Sequence, residues 1–151
     1  MSRPRRVTDA QERIDQPADD VELARSLNHV ASVNRWLGGT RALLRALEPL
    51  VPTGPLVSIL DVGTGSADIP RALAAWAAKR GMRMRLIMTD RHPQTIALAA
   101  RRTRAHRSIV AVRGDALTLP FADRSFDLAL LSLTLHHLGD DAQADALREL
   151  A

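Results

Sequence analysis

The sequence predicts an open α/β fold, a parallel β-sheet with helices on both faces and a helical lead-in before the first strand. Three observations carry that expectation. From about residue 56 onward, short β-branched apolar runs alternate with longer segments of helical period. The first of these runs enters its helix through two glycines one residue apart, Gly63 and Gly65. The next two runs end on acids, Asp90 and Asp115, which a parallel arrangement would bring to the same edge of the sheet.

Taken in order, residues 1–18 are polar, charged and hold two prolines, and are expected to form a flexible arm. Residues 19–55 read as a helical segment and connector. Leu23, Leu27, Val30, Asn34 and Leu37 share one helical face; Gly38-Gly39 interrupt it, and Thr40 is the expected cap of a second helix faced by Leu43, Leu44 and Leu47. Pro49, Pro52 and Pro55 close that segment. Residues 56–151 carry the sheet. Val57–Val62 reads as a buried strand, 68–80 as a helix ending near Gly81, and 85–89 as a second strand. Pro93 opens a helix over roughly 93–105, Ile109–Val112 is a third strand, 126–133 contains a fourth, and a last helix starts near 141.

Composition narrows the function. The chain has 151 residues, enough for one domain with a core, with 46% hydrophobic and 25% charged residues. It has no apolar run long enough to span a bilayer, no apolar segment after its basic start, and no Cys for disulfides or thiolate metal sites. A cytoplasmic location is the expectation. The net charge is +4, and of the 21 cations all but Lys79 are Arg. Nucleic-acid binding is not expected, because two Trp, two Phe and no Tyr leave few platforms for bases. The densest cluster, Arg101-Arg102-Thr103-Arg104-Ala105-His106-Arg107, falls at a helix end, where cations meet the exposed carbonyls.

The loop between the first strand and its helix, Asp61-Val62-Gly63-Thr64-Gly65-Ser66-Ala67-Asp68, is the most informative stretch. Gly63 and Gly65 allow a sharp turn and a close approach to a ligand, and the free N–H groups of the next helix can hold polar groups. Ser66 and Asp68 are candidate caps for that helix. A dinucleotide fingerprint would put a small residue where Asp68 stands, whereas counting one residue earlier gives G-x-G-x-A, with Ala67 acceptable provided its φ stays negative. Asp90 is placed to accept hydrogen bonds from two ribose hydroxyls, or else to cap the helix opening at Pro93. Asp115 and the N–H of Ala116 can read the amino edge of an adenine, or Asp115 can simply close a turn after Gly114. The fourth strand runs into Ser132-Leu133-Thr134-Leu135-His136-His137-Leu138. Either histidine could take a proton near neutral pH, with His136 the candidate, or could pack against the strand end.

DVGTGSAD, TDRHP, RGDALTLPFADRSFD and LALLSLTLHHL, in that order, resemble a class I S-adenosylmethionine-dependent methyltransferase, of the type that includes ubiquinone and menaquinone C-methyltransferases. VNRWLGGTRALLRAL is similar to the helical lead-in of that group. The resemblance covers about residues 20–151. It implies a Rossmann-like sheet of order 3-2-1-4 and S-adenosylmethionine as cofactor, with a small-molecule methyl acceptor as partner. Asp61, with the backbone of Gly63, Thr64 and Gly65, would hold the methionine portion and Asp90 the ribose. Asp115 and Ala116 would read the adenine, with Arg91 and Leu117 flanking it, and Ser132 and Leu133 would lie beside the transferable methyl group. No metal is implied.

The family's sheet has seven strands, so the domain is expected to be incomplete, lacking strands 5–7. A strand 4 over Leu128–Leu133, apolar on both faces, would then present an open edge prone to self-association. Two other functions stand beside methyl transfer: a non-catalytic Rossmann-like binding module, and an NAD-dependent oxidoreductase, which Asp68 and Asp115-Ala116 disfavour.

Overall fold

A computed structural model describes residues 20–151; the expected arm over residues 1–18 lies outside them. Helices α1 (Asp20–Trp36) and α2 (Gly39–Leu47) precede strand β1 (Val57–Val62). Then follow α3 (Asp68–Lys79), β2 (Met84–Asp90), α4 (Pro93–Thr103), β3 (Ile109–Arg113), β4 (Leu128–Leu130), a single 3-10 turn at Leu135–His137, and α5 (Asp140–Glu149). The four strands form one sheet in the order β3-β2-β1-β4, and every pairing is parallel. This is the order and class that the sequence predicts.

β1 lies between two neighbours and is buried along nearly its whole length, which is why its sequence is apolar without alternation. Its side chains still divide by the pleat. Val57 and Ile59 join Leu86 and Met88 of β2 on one face, beneath Leu73 and Trp76 of α3 and Ile96 and Ala99 of α4. Leu60, Val62 and Ile87 face the other side, where Leu119, Phe121 and Phe126 of the β3–β4 loop and Leu150 at the end of α5 cover them. Phe121 and Phe126 meet edge to face at 5.0 Å, so a loop with two rings fills space that a helix would otherwise occupy. α5 is fastened to that loop by the Leu119 N–H, which donates to Glu149 Oε1 at 2.8 Å.

Three local expectations are corrected. Thr40 does not cap α2: the N-cap is Gly38 at φ 79°, because the reversal from α1 needs left-handed backbone. The Thr40 hydroxyl instead accepts from Asn34 Nδ2 at 3.4 Å. Ser66 and Asp68 do not cap α3 either; the N-cap is Ala67, and the Ser66 hydroxyl donates to Asp68 Oδ1 at 2.8 Å. Finally, β4 ends at Leu130 rather than Leu133. Asp127 locks its start to β1, its Oδ2 accepting both the Ser58 N–H and hydroxyl at 2.7 Å, but the chain leaves the sheet after Leu130 and turns through a left-handed Leu133, φ 58°. The open edge is thus blunted by brevity, and the long apolar edge expected over Leu128–Leu133 is absent.

Leu73 of α3 is fully buried against the sheet, whereas Leu50 is 62% exposed in the connector. Leu73→Ala should lower the unfolding free energy by about 2–5 kcal/mol in urea titrations. Leu50→Ala should change it by less than about 0.5 kcal/mol.

Candidate functional site

The carboxyl ends of all four strands, together with α1, surround one cavity. The loop after β1 forms its floor. Gly63, Gly65 and Ala67 all have positive φ, 71°, 52° and 60°, so left-handed residues alternate through the reversal. The condition set for Ala at this position, a negative φ, is therefore not met. The turn into α3 demands left-handed backbone there, which costs an L-residue about 1–2 kcal/mol, while the Ala67 methyl is fully buried. A Cβ on Gly63 would come within 2.5 Å of Thr134 Cγ2. The space that Gly63 vacates is thus taken by Thr134, whose hydroxyl lies 3.3 Å from the Val62 carbonyl and 3.2 Å from that of Ser132. This contact seats the β4 exit loop on the glycine loop.

The end of β2 is tied to the same turn. Asp90 Oδ2 accepts the Gly65 N–H at 3.2 Å and Oδ1 accepts the His92 N–H at 3.0 Å. The N-cap of α4 is His92, so Asp90 braces the turn before the helix without capping it. Burial raises the Asp90 carboxyl above its ordinary value despite those two donors.

Asp61 is the most strained group electrostatically. It is buried on the central strand and its Oδ2 makes no hydrogen bond. Burial pushes its carboxyl up from 3.8 to about 7, and the Asp68 and Asp90 carboxylates add to the rise; the nearby Thr64 hydroxyl opposes it without reaching hydrogen-bond geometry. Thr64 Oγ1 and Thr95 Oγ1 are likewise buried without partners, and all three residues line the cavity. Buried polar atoms are almost always satisfied, so three orphans around one cavity mark a place built to receive a polar ligand.

Of the other residues named from sequence, Arg91, Asp115, Ala116, Ser132 and Leu133 line the cavity, and Leu117 does not. Asp115 also makes the turn weighed as its alternative, its Oδ1 accepting the Leu117 N–H at 3.0 Å. His136 lies outside the lining and His137 within it, their rings stacked 4.1 Å apart. Sequence reasoning missed the roof. Leu27, Val30, Ala31 and Asn34 of α1 close the cavity from above, and a polar Asn34 in an otherwise apolar stripe was the available signal. It also missed His92, which stands within TDRHP but was given no role, and Thr95, which falls in no motif. Arg102, read only as a helix-end cation, bonds Asn28 Oδ1 at 2.8 Å and so ties α1 to α4.

Comparison with known proteins agrees with this geometry. The methyltransferase domain family matches residues 59–151. A demethylmenaquinone methyltransferase from Roseiflexus is 39% identical over 85 residues, covering 56% of this chain and 34% of that protein. One from Corynebacterium kroppenstedtii is 50% identical over 46 residues, 30% of this chain and 19% of the relative. The chain therefore spans about a third or less of the length of these curated relatives. The crystal structure of a SAM-dependent methyltransferase from Aquifex aeolicus superposes with a TM-score of 0.65 at 16% identity, covering 89% of this chain and 66% of that one. The fold is the one shared by class I S-adenosylmethionine-dependent methyltransferases, a class whose cofactor is S-adenosylmethionine. The chain belongs to the methyltransferase domain family.

The raised carboxyl of Asp61 has a stability consequence. Because its folded value, about 7, exceeds the ordinary 3.8, the folded state binds the proton more tightly. The penalty of ionising it is absent at low pH and complete once pH has risen through the folded value. Asp61→Asn should therefore gain stability relative to the parent as pH rises from about 4 to about 8. Urea titrations across that range check this, and a difference independent of pH would contradict it.

Proposed function

We propose that this chain binds S-adenosylmethionine in the cavity at the carboxyl edge and serves methyl transfer to a small apolar acceptor of the quinone type named for its relatives. The observation that carries the reading is the set of unpartnered buried atoms, Asp61 Oδ2 and the Thr64 and Thr95 hydroxyls, beside a doubly braced Asp90. The cofactor offers the complement: an ammonium for Asp61 and a ribose diol for Asp90. Each Asp90 oxygen already accepts one backbone N–H and keeps a second lone pair for a hydroxyl. Asp115 and Ala116 stand where an adenine edge would be read, since one Asp115 oxygen closes the turn and the other remains an acceptor.

When bound, the cofactor supplies an electrophilic methyl group on a sulfonium. The chain's part is alignment, which accounts for much of the acceleration in such displacements. Ser132 and Leu133 border the cavity where the β4 exit turns through the left-handed backbone of Leu133. Of the two histidines only His137 reaches the cavity, so it is the imidazole placed to accept a proton from the acceptor. A dinucleotide is disfavoured by charge. Asp68 occupies the first turn of α3, where a pyrophosphate would have to sit, while the proposed ligand brings no phosphate there.

Calorimetry with S-adenosylhomocysteine tests the reading. Asp90→Ala removes two proposed charge-assisted hydrogen bonds to the ligand, each worth about 1.5–3 kcal/mol, so affinity should fall at least about tenfold. Parent-like affinity in that variant would remove the ribose assignment. Bringing an ammonium to Asp61 favours its ionised form, so binding should release a proton below about pH 7 and tighten as pH rises through that range. Asp61→Asn should abolish the trend. NADH should not compete.

A further inference from the structure

We propose that the α1–α2 hairpin docks this protein on an anionic lipid surface, a role beyond cofactor binding and carried by different residues. The inward side of α1 is accounted for: Leu23 and Leu27 are buried, and Asn34 faces the cavity. Its outer side is not. Val33, Trp36 and Leu37 are adjacent at i, i+3 and i+4, and are 41%, 85% and 70% exposed. Leu37 is held at the tip by its N–H, which donates to the Val33 carbonyl at 2.8 Å, and left-handed Gly38 then turns the chain into α2. Val30 extends the strip inward; it is 42% exposed and also lines the cavity, so the apolar surface runs from the hairpin tip to the cavity wall.

Charge decides the occupant. Residues 23–47 contain Arg25, Arg35, Arg41 and Arg45 and no Asp or Glu. All four arginines are exposed, and none makes an ion pair among the described residues. A second copy of the chain would bring four like charges against four, with only Asp20 and Glu22 at the far end of α1, and Glu48, already paired with Arg80, to relieve them. An apolar tip flanked by exposed cations matches the boundary of an anionic bilayer, where a Trp sits at headgroup level and arginines meet lipid phosphates and carboxylates. No described helix is long and apolar enough to cross a membrane, so the hairpin would lie in the interface. Docking there would turn the α1 wall of the cavity toward the lipid phase.

Vesicle flotation of the full 151-residue chain tests this, with phosphatidylcholine alone against phosphatidylcholine mixed with phosphatidylserine. The parent should float with the mixed vesicles, float little with the neutral ones, and dissociate as salt rises. Trp36→Ser combined with Leu37→Ser should weaken binding about tenfold or more. Arg35→Glu combined with Arg41→Glu should do at least as much, since each reversal removes a contribution of about fivefold per cation and adds repulsion. All four side chains are exposed, so circular dichroism and S-adenosylhomocysteine affinity should stay at parent values, which separates this test from that of the cofactor site. The proposal is overturned if the parent ignores anionic vesicles. It is overturned equally if both variants bind like the parent, which would assign binding to cations outside the hairpin. A concentration-dependent dimer abolished by the Trp36 and Leu37 changes, without vesicle binding, would make a second copy the occupant instead.

Discussion

The backbone reversal at Gly63–Ala67 is the constraint on which the rest of the site depends. Its alternating left-handed residues leave no room for a Cβ at Gly63, and the space is filled by Thr134, so the exit from β4 is positioned by the exit from β1. The same turn aims the Gly65 N–H at Asp90, which fixes the end of β2, and delivers Ala67 as the N-cap of α3. Three strand ends are therefore mutually located by one five-residue turn. A parallel sheet supplies the common edge, and the turn supplies the registration within it.

Much of the fold was legible because its signals are local and repeated. Apolar runs separated by helical segments permit few topologies once right-handed crossovers are required, and β1 to β3 fall within a residue or so of their expected limits. What failed was set by contacts between distant residues. Leu131 and Leu133 are as apolar as Leu128 and Leu130, so nothing local says that the strand stops; the stop comes from Thr134 seating on Gly63, about seventy residues back in the chain. The sign of φ at Ala67 is equally non-local, since Ala states no preference for the left-handed region and the turn imposes it.

The site residues divide along the same line. Asp90 and Asp115 were found because they end strands, yet sequence posed ligand and turn as alternatives where the structure uses one oxygen atom of Asp115 for the turn and leaves the cavity lined by both residues. His136 and His137 are neighbours in sequence, and only the 3-10 turn decides which of them reaches the cavity. Asn34 was visible as a polar break in an apolar stripe, but a stripe read as core gives no hint that part of it roofs a cavity.

Charge is segregated across the molecule in a way that its net value of +4 conceals. Asp61, Asp68 and Asp90 lie close enough to one another that the latter two raise the first, in a buried setting where mutual repulsion is poorly screened. Such an arrangement opposes folding, as do the left-handed backbone at Ala67 and the three orphaned polar atoms. These costs fall within one cavity, while the two faces of the sheet are packed with apolar side chains. A core that well filled can carry a locally unfavourable site, and the carboxylate repulsion and orphaned polar atoms, though not the backbone cost at Ala67, are terms that a cationic, hydroxyl-bearing ligand would relieve. The destabilisation that these groups cause and the binding energy proposed for such a ligand thus have the same origin, because an unpaired carboxylate would lower the free energy of the complex by an interaction that the folded chain alone does not make.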